Sequence, residues 1–147
     1  PSDFVKRLAQ ARIATLRNTD TDARDLARLQ LLSLRSQQHL VGRVAADKLK
    51  AVAQTPVQGW WDALTDGWDP KRDFARAMLH AERLAMLLAD EAIAEILYDQ
   101  ANRFPERRNV YRAFIERALP RARHLHDQIT TTGDRLLKAL NAQHAVE

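Results

Sequence analysis

The chain has 147 residues, 46% of them hydrophobic and 29% charged, with a net charge of +4. That length fits one domain, spanning residues 1–147, and that balance fits a globule rather than a disordered tail. It has no cysteine, which excludes disulfides, thiolate nucleophiles and cysteine-held metal centres and suits a reducing, cytoplasmic setting, and no apolar run approaches the ~20 residues that cross a bilayer.

The first helix is predicted over about 3–17, with Ser2 as its N-cap and an apolar face of Phe4, Val5, Leu8, Ile13 and Leu16. The polar stretch 18–22 reads as a turn in which Asp20 or Thr21 caps the next helix. That second helix is predicted over about 22–54. Ala27, Leu31, Leu34, Gln38, Val41, Ala45, Leu49 and Val52 recur at steps of four and three, the seam of a rod packed along its length. At about 1.5 Å per residue it reaches roughly 50 Å. Gln38 falls on the seam, where a single polar residue fixes register; the rival reading is a polar pocket of Gln38, His39, His80 and Glu82.

Pro56 ends that rod. The stretch VQGWWDALTDGWDP, residues 57–70, holds all three tryptophans. Val57, Trp61 and Leu64 share one face, so a short connector helix is expected, with Trp61 closing the end of the structure. Trp60 lies ~100° round from Trp61 and cannot enter the same core. Trp60 and Trp68 are therefore candidate anchors for a protein partner, a role in which tryptophan is enriched.

Asp69-Pro70 is a start signal for a third helix over about 70–102. Its inner face is predicted as Phe74, Met78, Ala81, Ala85, Leu88, Ala92 and Ile96. Leu84, Leu87, Ile93 and Leu97 widen the apolar surface and suggest a central helix. Phe104-Pro105 breaks the chain, and a last helical segment follows over about 106–144. Its stripe is Tyr111, Ile115, Ala118, Ala122, Leu125, Ile129, Thr132, Leu136 and Leu140. A kink is expected at Pro120, and Thr130–Gly133 is the weakest helical patch. These elements make an all-α fold: an elongated antiparallel helical bundle of about four helices plus the tryptophan-bearing connector.

No phosphate-binding loop, dinucleotide fingerprint or nucleophile elbow occurs, and no Glu-x-x-His marks a di-iron site, so no cofactor or metal is expected. The acidic ladder Glu91, Glu95, Asp99 reads as a solvated face or one paired with arginines. In RARHLHD, residues 121–127, Arg121 and His126 have the Arg-x4-His spacing that resembles the motif of HEPN-type ribonucleases, which are also helical bundles. The resemblance implies an arginine and a histidine acting on the RNA phosphate and 2′-hydroxyl, often across a dimer. Ala122 stands where that family usually carries a polar residue.

The charge is local. Residues 103–123 hold seven arginines against Glu106 and Glu116, a net +5, and the rest of the chain sums to −1. Arg107, Arg108, Arg112, Arg117, Arg121 and Arg123 are the candidate nucleic-acid contacts, as guanidinium forks match phosphate oxygens. The expectation is a non-enzymatic accessory subunit that holds nucleic-acid backbone through this helix and docks a protein partner. The alternatives are a protein-only scaffold or adaptor, or a homo-oligomer joined along an apolar flank of the third helix.

Overall fold

Asp20 sets the start of the longest helix. Its carboxylate accepts the Asp22 N–H at 3.0 Å and its carbonyl accepts the Arg24 N–H at 3.0 Å, satisfying donors that a helix start leaves open. The computed structural model describes residues 2–17, 20–53 and 75–144. Helix α1 is Ser2–Arg17, α2 is Thr21–Ala53 and α3 is Ala75–Arg103; a 3-10 turn, Pro105–Arg107, leads into α4, Arg108–Thr131, and α5 is Asp134–His144. No strand occurs among the described residues. Trp60, Trp61, Trp68, Pro56, Asp69-Pro70 and Phe74 lie outside them, as do the side chains of Ala45, Leu49, Val52 and Leu140.

Helices α2, α3 and α4 pack against one another, and α1 packs on α2. Named contacts give the directions. Gln30 donates to Glu95 at 2.7 Å, and Arg83 donates to Gln128 at 3.1 Å while Arg121 pairs with Asp90, so α3 runs antiparallel to both neighbours. Helices α2 and α4 run parallel, because Tyr111 meets Asp22 and His126 meets Ser36. The core comprises Leu26 and Leu29 of α2, Leu87, Ala94 and Ala101 of α3, and Tyr111, Ile115, Ala118, Leu119, Ala122 and Leu125 of α4. The alanines let the helix axes approach, and Tyr111 is the largest fully buried side chain among the described residues. Its hydroxyl donates to the Asp22 carbonyl at 2.7 Å, and its ring meets Tyr98 edge-on at 5.4 Å. Burial, with Asp22 nearby, pushes the Tyr111 pKa well above its ordinary value.

The α4 stripe from Tyr111 to Ile129 is buried at the predicted steps of four and three. The helix passes through Pro120 without interruption. Pro120 is exposed, so the Glu116 carbonyl that loses its partner faces water. The break comes at Thr132–Gly133. Gly133 has φ +100°, and Thr132 and Leu136 beyond the break are exposed, contrary to the predicted stripe.

Three further expectations are corrected. On α1, Val5, Ile13 and Leu16 are exposed, and the helix sits on Ala11 with Phe4 and Leu8 half-buried. On α2, Gln38 and Val41 point outward while Ser33 and Ser36 are fully buried, so serine hydroxyls rather than an amide interrupt the apolar interior. On α3 the predicted inner face is the outer one: Met78, Ala81, Ala85, Leu88, Ala92 and Ile96 are all exposed. The inward residues are His80, Leu87, Asp90, Glu91, Ala94 and Ala101.

Gly133 supplies the testable constraint here. A Cβ at this position meets Leu79 Cδ2 at 2.8 Å and His80 Nε2 at 3.0 Å, in a left-handed backbone that L-residues rarely adopt. Gly133→Ala is expected to cost on the order of 1–2 kcal/mol of stability, read as a lowered urea midpoint with an unchanged slope. A neutral substitution contradicts the turn.

Candidate functional site

Three buried carboxylates organise the polar chemistry, and each is met by an arginine rooted on another helix. Asp22 accepts from Arg112 Nε at 2.9 and 3.1 Å, with Arg108 at 3.8 Å. Asp90 is clasped by Arg121 through Nε at 2.8 Å and through the terminal nitrogen, a bidentate pair. Glu91 accepts from Arg7 of α1 at 3.3 Å. The carboxylates are nearly closed to solvent whereas the arginines remain about half exposed. The cations thus lie over the carboxylates as lids, with their stems on the helix surface. Hydrogen bonding to Asp22 and to Asp90 raises the pKa of Arg112 and Arg121 further.

This geometry redistributes the six candidate arginines. Arg108 and Arg112 answer Asp22, and Arg121 answers Asp90. Arg107 donates to Gln100 at 2.8 Å and lies over the Phe104 ring, its guanidinium carbon 5.6 Å from the centroid. Among the described residues Arg117 reaches only the Ala113 carbonyl, at 3.4 Å, and Arg123 has no carboxylate at ion-pair distance. At ~100° per residue, Arg112 and Arg123 lie on the α2 flank of α4 and Arg117 and Arg121 on the α3 flank, roughly 150° apart. They do not form one stripe. A groove of about 590 Å³ opens beside Asp22, Asp25, Arg28, Arg112, Glu116 and Arg123, and its lining charge is mixed.

Arg121 and His126 are also separated, by about 140° round α4. His126 Nδ1 meets Ser36 Oγ at 2.9 Å, and the same hydroxyl donates to the Leu32 carbonyl at 2.9 Å. With its one proton on Leu32, Ser36 accepts from Nδ1–H. Burial lowers the His126 pKa, and Arg35 and His39 lower it further. Serine beside histidine is a nucleophile–base pair by composition only, because Ser36 is fully buried and no substrate can reach it. Among the described residues no group of three or more histidine or acidic side chains is placed to hold a metal ion. No described helix is long and apolar enough to cross a membrane.

The feature that periodicity assigned to the core is the exposed one. Met78 is 72% and Ile96 57% exposed, and Met86, Leu88 and Ile93 join them on the outward side of α3. Ala81, Ala85, Ala89 and Ala92 are exposed between them. At ~1.5 Å per residue this face runs about 27 Å. Such a continuous apolar surface is the usual mark of an interaction site. A signal was present in sequence: Asp90 and Glu91 fall opposite the Met78–Ile96 line, and only buried partners could turn them inward. Those partners lie far away in the chain. Comparison with protein-family models, with curated proteins and with solved structures finds no match to this chain.

Glu91 gives a signed pH test. Burial raises its pKa above the ordinary 4.5; Ser33 lowers it, Glu95 raises it and Arg7 lowers it by smaller amounts. Between the ordinary carboxylate pKa and the raised value, the folded state therefore holds a proton that the unfolded chain has released. The stability gained is full below the ordinary carboxylate pKa and is lost as pH rises through the raised value. Glu91→Gln is expected to raise the melting temperature, relative to the parent chain, more at pH 7 than at pH 4. A larger gain at pH 4 contradicts the burial of this carboxylate.

Proposed function

We propose that this chain is a non-enzymatic helical scaffold that works by docking protein on the outward face of α3. The observation that carries the reading is the set of large apolar side chains, Met78, Met86, Leu88, Ile93 and Ile96, in water on one helix. Leaving such groups hydrated costs about 25 cal/mol per Å², and covering them drives association. The methionines suit a surface that adapts to what it meets, and the alanines allow a second helix to come near. The cysteine-free composition fits a cytoplasmic setting.

A photo-crosslinking amino acid at Ala85 is expected to give protein adducts in cells, and the same probe at Asn109, on the exposed side of α4, to give none. Equal yields, or none at Ala85, contradict the docking role.

A second reading, contact with nucleic-acid backbone, keeps support from Arg107, Arg117 and Arg123, which make no ion pair with the three buried carboxylates. Three such contacts give a shallow dependence of affinity on salt, a log–log slope of about −3, and little sequence preference. An oligonucleotide titration at two salt concentrations checks this. A slope near −6 means that all six arginines are released to phosphate, against the ion pairs described above.

A further inference from the structure

We infer that the occupant of the α3 face is a second copy of this chain, packed antiparallel across a two-fold axis level with residue 87; the inference rests on the docking role proposed for that face. The spacing is the reason. Met78, Ala85, Ala89 and Ile96 lie within about 20° of one line along α3, and Ala81 and Ile93 flank it on opposite sides. These positions are symmetric about residue 87, with large residues at both ends and alanines at the centre. In an antiparallel pair Met78 comes level with the partner's Ile96, Ala81 with the partner's Ile93, and Ala85 with the partner's Ala89. Large side chains meet at the two ends and four alanines meet at the centre; on the flanks Ala81 faces the partner's Ala92, and Ile93 lies along the partner's Glu82. Helix axes approach to about 8 Å where such small residues face each other. A two-fold interface demands this kind of self-matching, since the same patch serves both subunits. An unrelated partner places no such demand on the spacing.

Charge agrees. The one ionised residue near the line is Glu82; its stem lies along the partner's Ile93 and its carboxylate reaches the edge of the contact, with the two copies of Glu82 about 15 Å apart along the helices. No like charges are opposed. Covering the exposed parts of these side chains in both copies removes on the order of 1,000 Å² of surface, the lower end of what a specific interface requires. The polar side of α3 is already committed inward through Asp90 and Glu91, so self-association leaves the bundle interior intact.

The chain has no cysteine, so single thiols can be read without interference. Under mild oxidation a mixture of Ala85→Cys and Ala89→Cys chains is expected to form a covalent dimer in high yield, and Ala81→Cys alone to form almost none. Sedimentation velocity of the unmodified chain is expected to show a dimer. Ala85→Arg, with helicity and melting temperature retained, is expected to weaken it at least about tenfold. A chain that stays monomeric, or an Ala81→Cys chain that links to itself in a parallel register, overturns the inference. Adducts to a different protein from the Ala85 probe, with a monomeric chain, overturn the dimer and leave the docking role standing. No adduct and no dimer remove both.

Discussion

The pairing of Asp90 and Glu91 with arginines of neighbouring helices decides how the third helix sits. Helix α3 is apolar on nearly every side, so the hydrophobic effect alone scarcely selects one face for the core. Two adjacent carboxylates break that near-symmetry. Once Arg121 closes over Asp90 and Arg7 over Glu91, the helix is held with its acidic side inward. The pairs need not add stability over an apolar equivalent; leaving either carboxylate buried without its cation is what costs several kcal/mol. Orientation is the product, and the outward side is then Met78, Ala85, Ala89 and Ile96.

The same logic runs through the bundle. Asp22 sits where α2 begins and α4 passes, and it receives Arg108 and Arg112 on its carboxylate and Tyr111 on its carbonyl. Ser36 links α2 to α4 through His126. Polar contacts at both levels set the parallel register of these helices, and the stripe from Tyr111 to Ile129 fills the space between them. The arginine-rich segment that dominates the charge pattern is thereby in part structural. Half of its six candidate phosphate ligands are turned to buried carboxylates, and the others diverge round the helix.

Much of the fold was legible in the sequence. Helix limits followed from Asp20 and Phe104-Pro105, and the α4 stripe as far as Ile129 followed from its spacing, whereas the break at Gly133 was read only as a weak patch in one continuous helix. The faces of α1 and α3 did not. On α1 the exposed Ile13 and Leu16 are as apolar as the half-buried Leu8, so periodicity offered no choice, and Ala11 at the contact is small enough to escape notice. On α3 the choice depended on carboxylate partners some 30 or more residues distant, which no local window contains. Gln38 was misplaced for a related reason: the polar run at 33–40 admitted either a buried amide or buried hydroxyls, and Ser33 and Ser36, shorter and able to bond within a turn, took the interior. An apolar flank of the third helix was offered for a homo-oligomer, but by the same error the residues left exposed there were assigned to the core.

A double-mutant cycle on Asp90→Asn and Arg121→Gln tests the orientation of α3 most directly. With Asp90 buried and clasped as described, the coupling between the two positions is expected to be about 1 kcal/mol or more, because each single change leaves the other group unpaired. A coupling indistinguishable from zero would place Asp90 in water, turn the Met78–Ile96 side into the core, and leave no apolar face for a partner to meet.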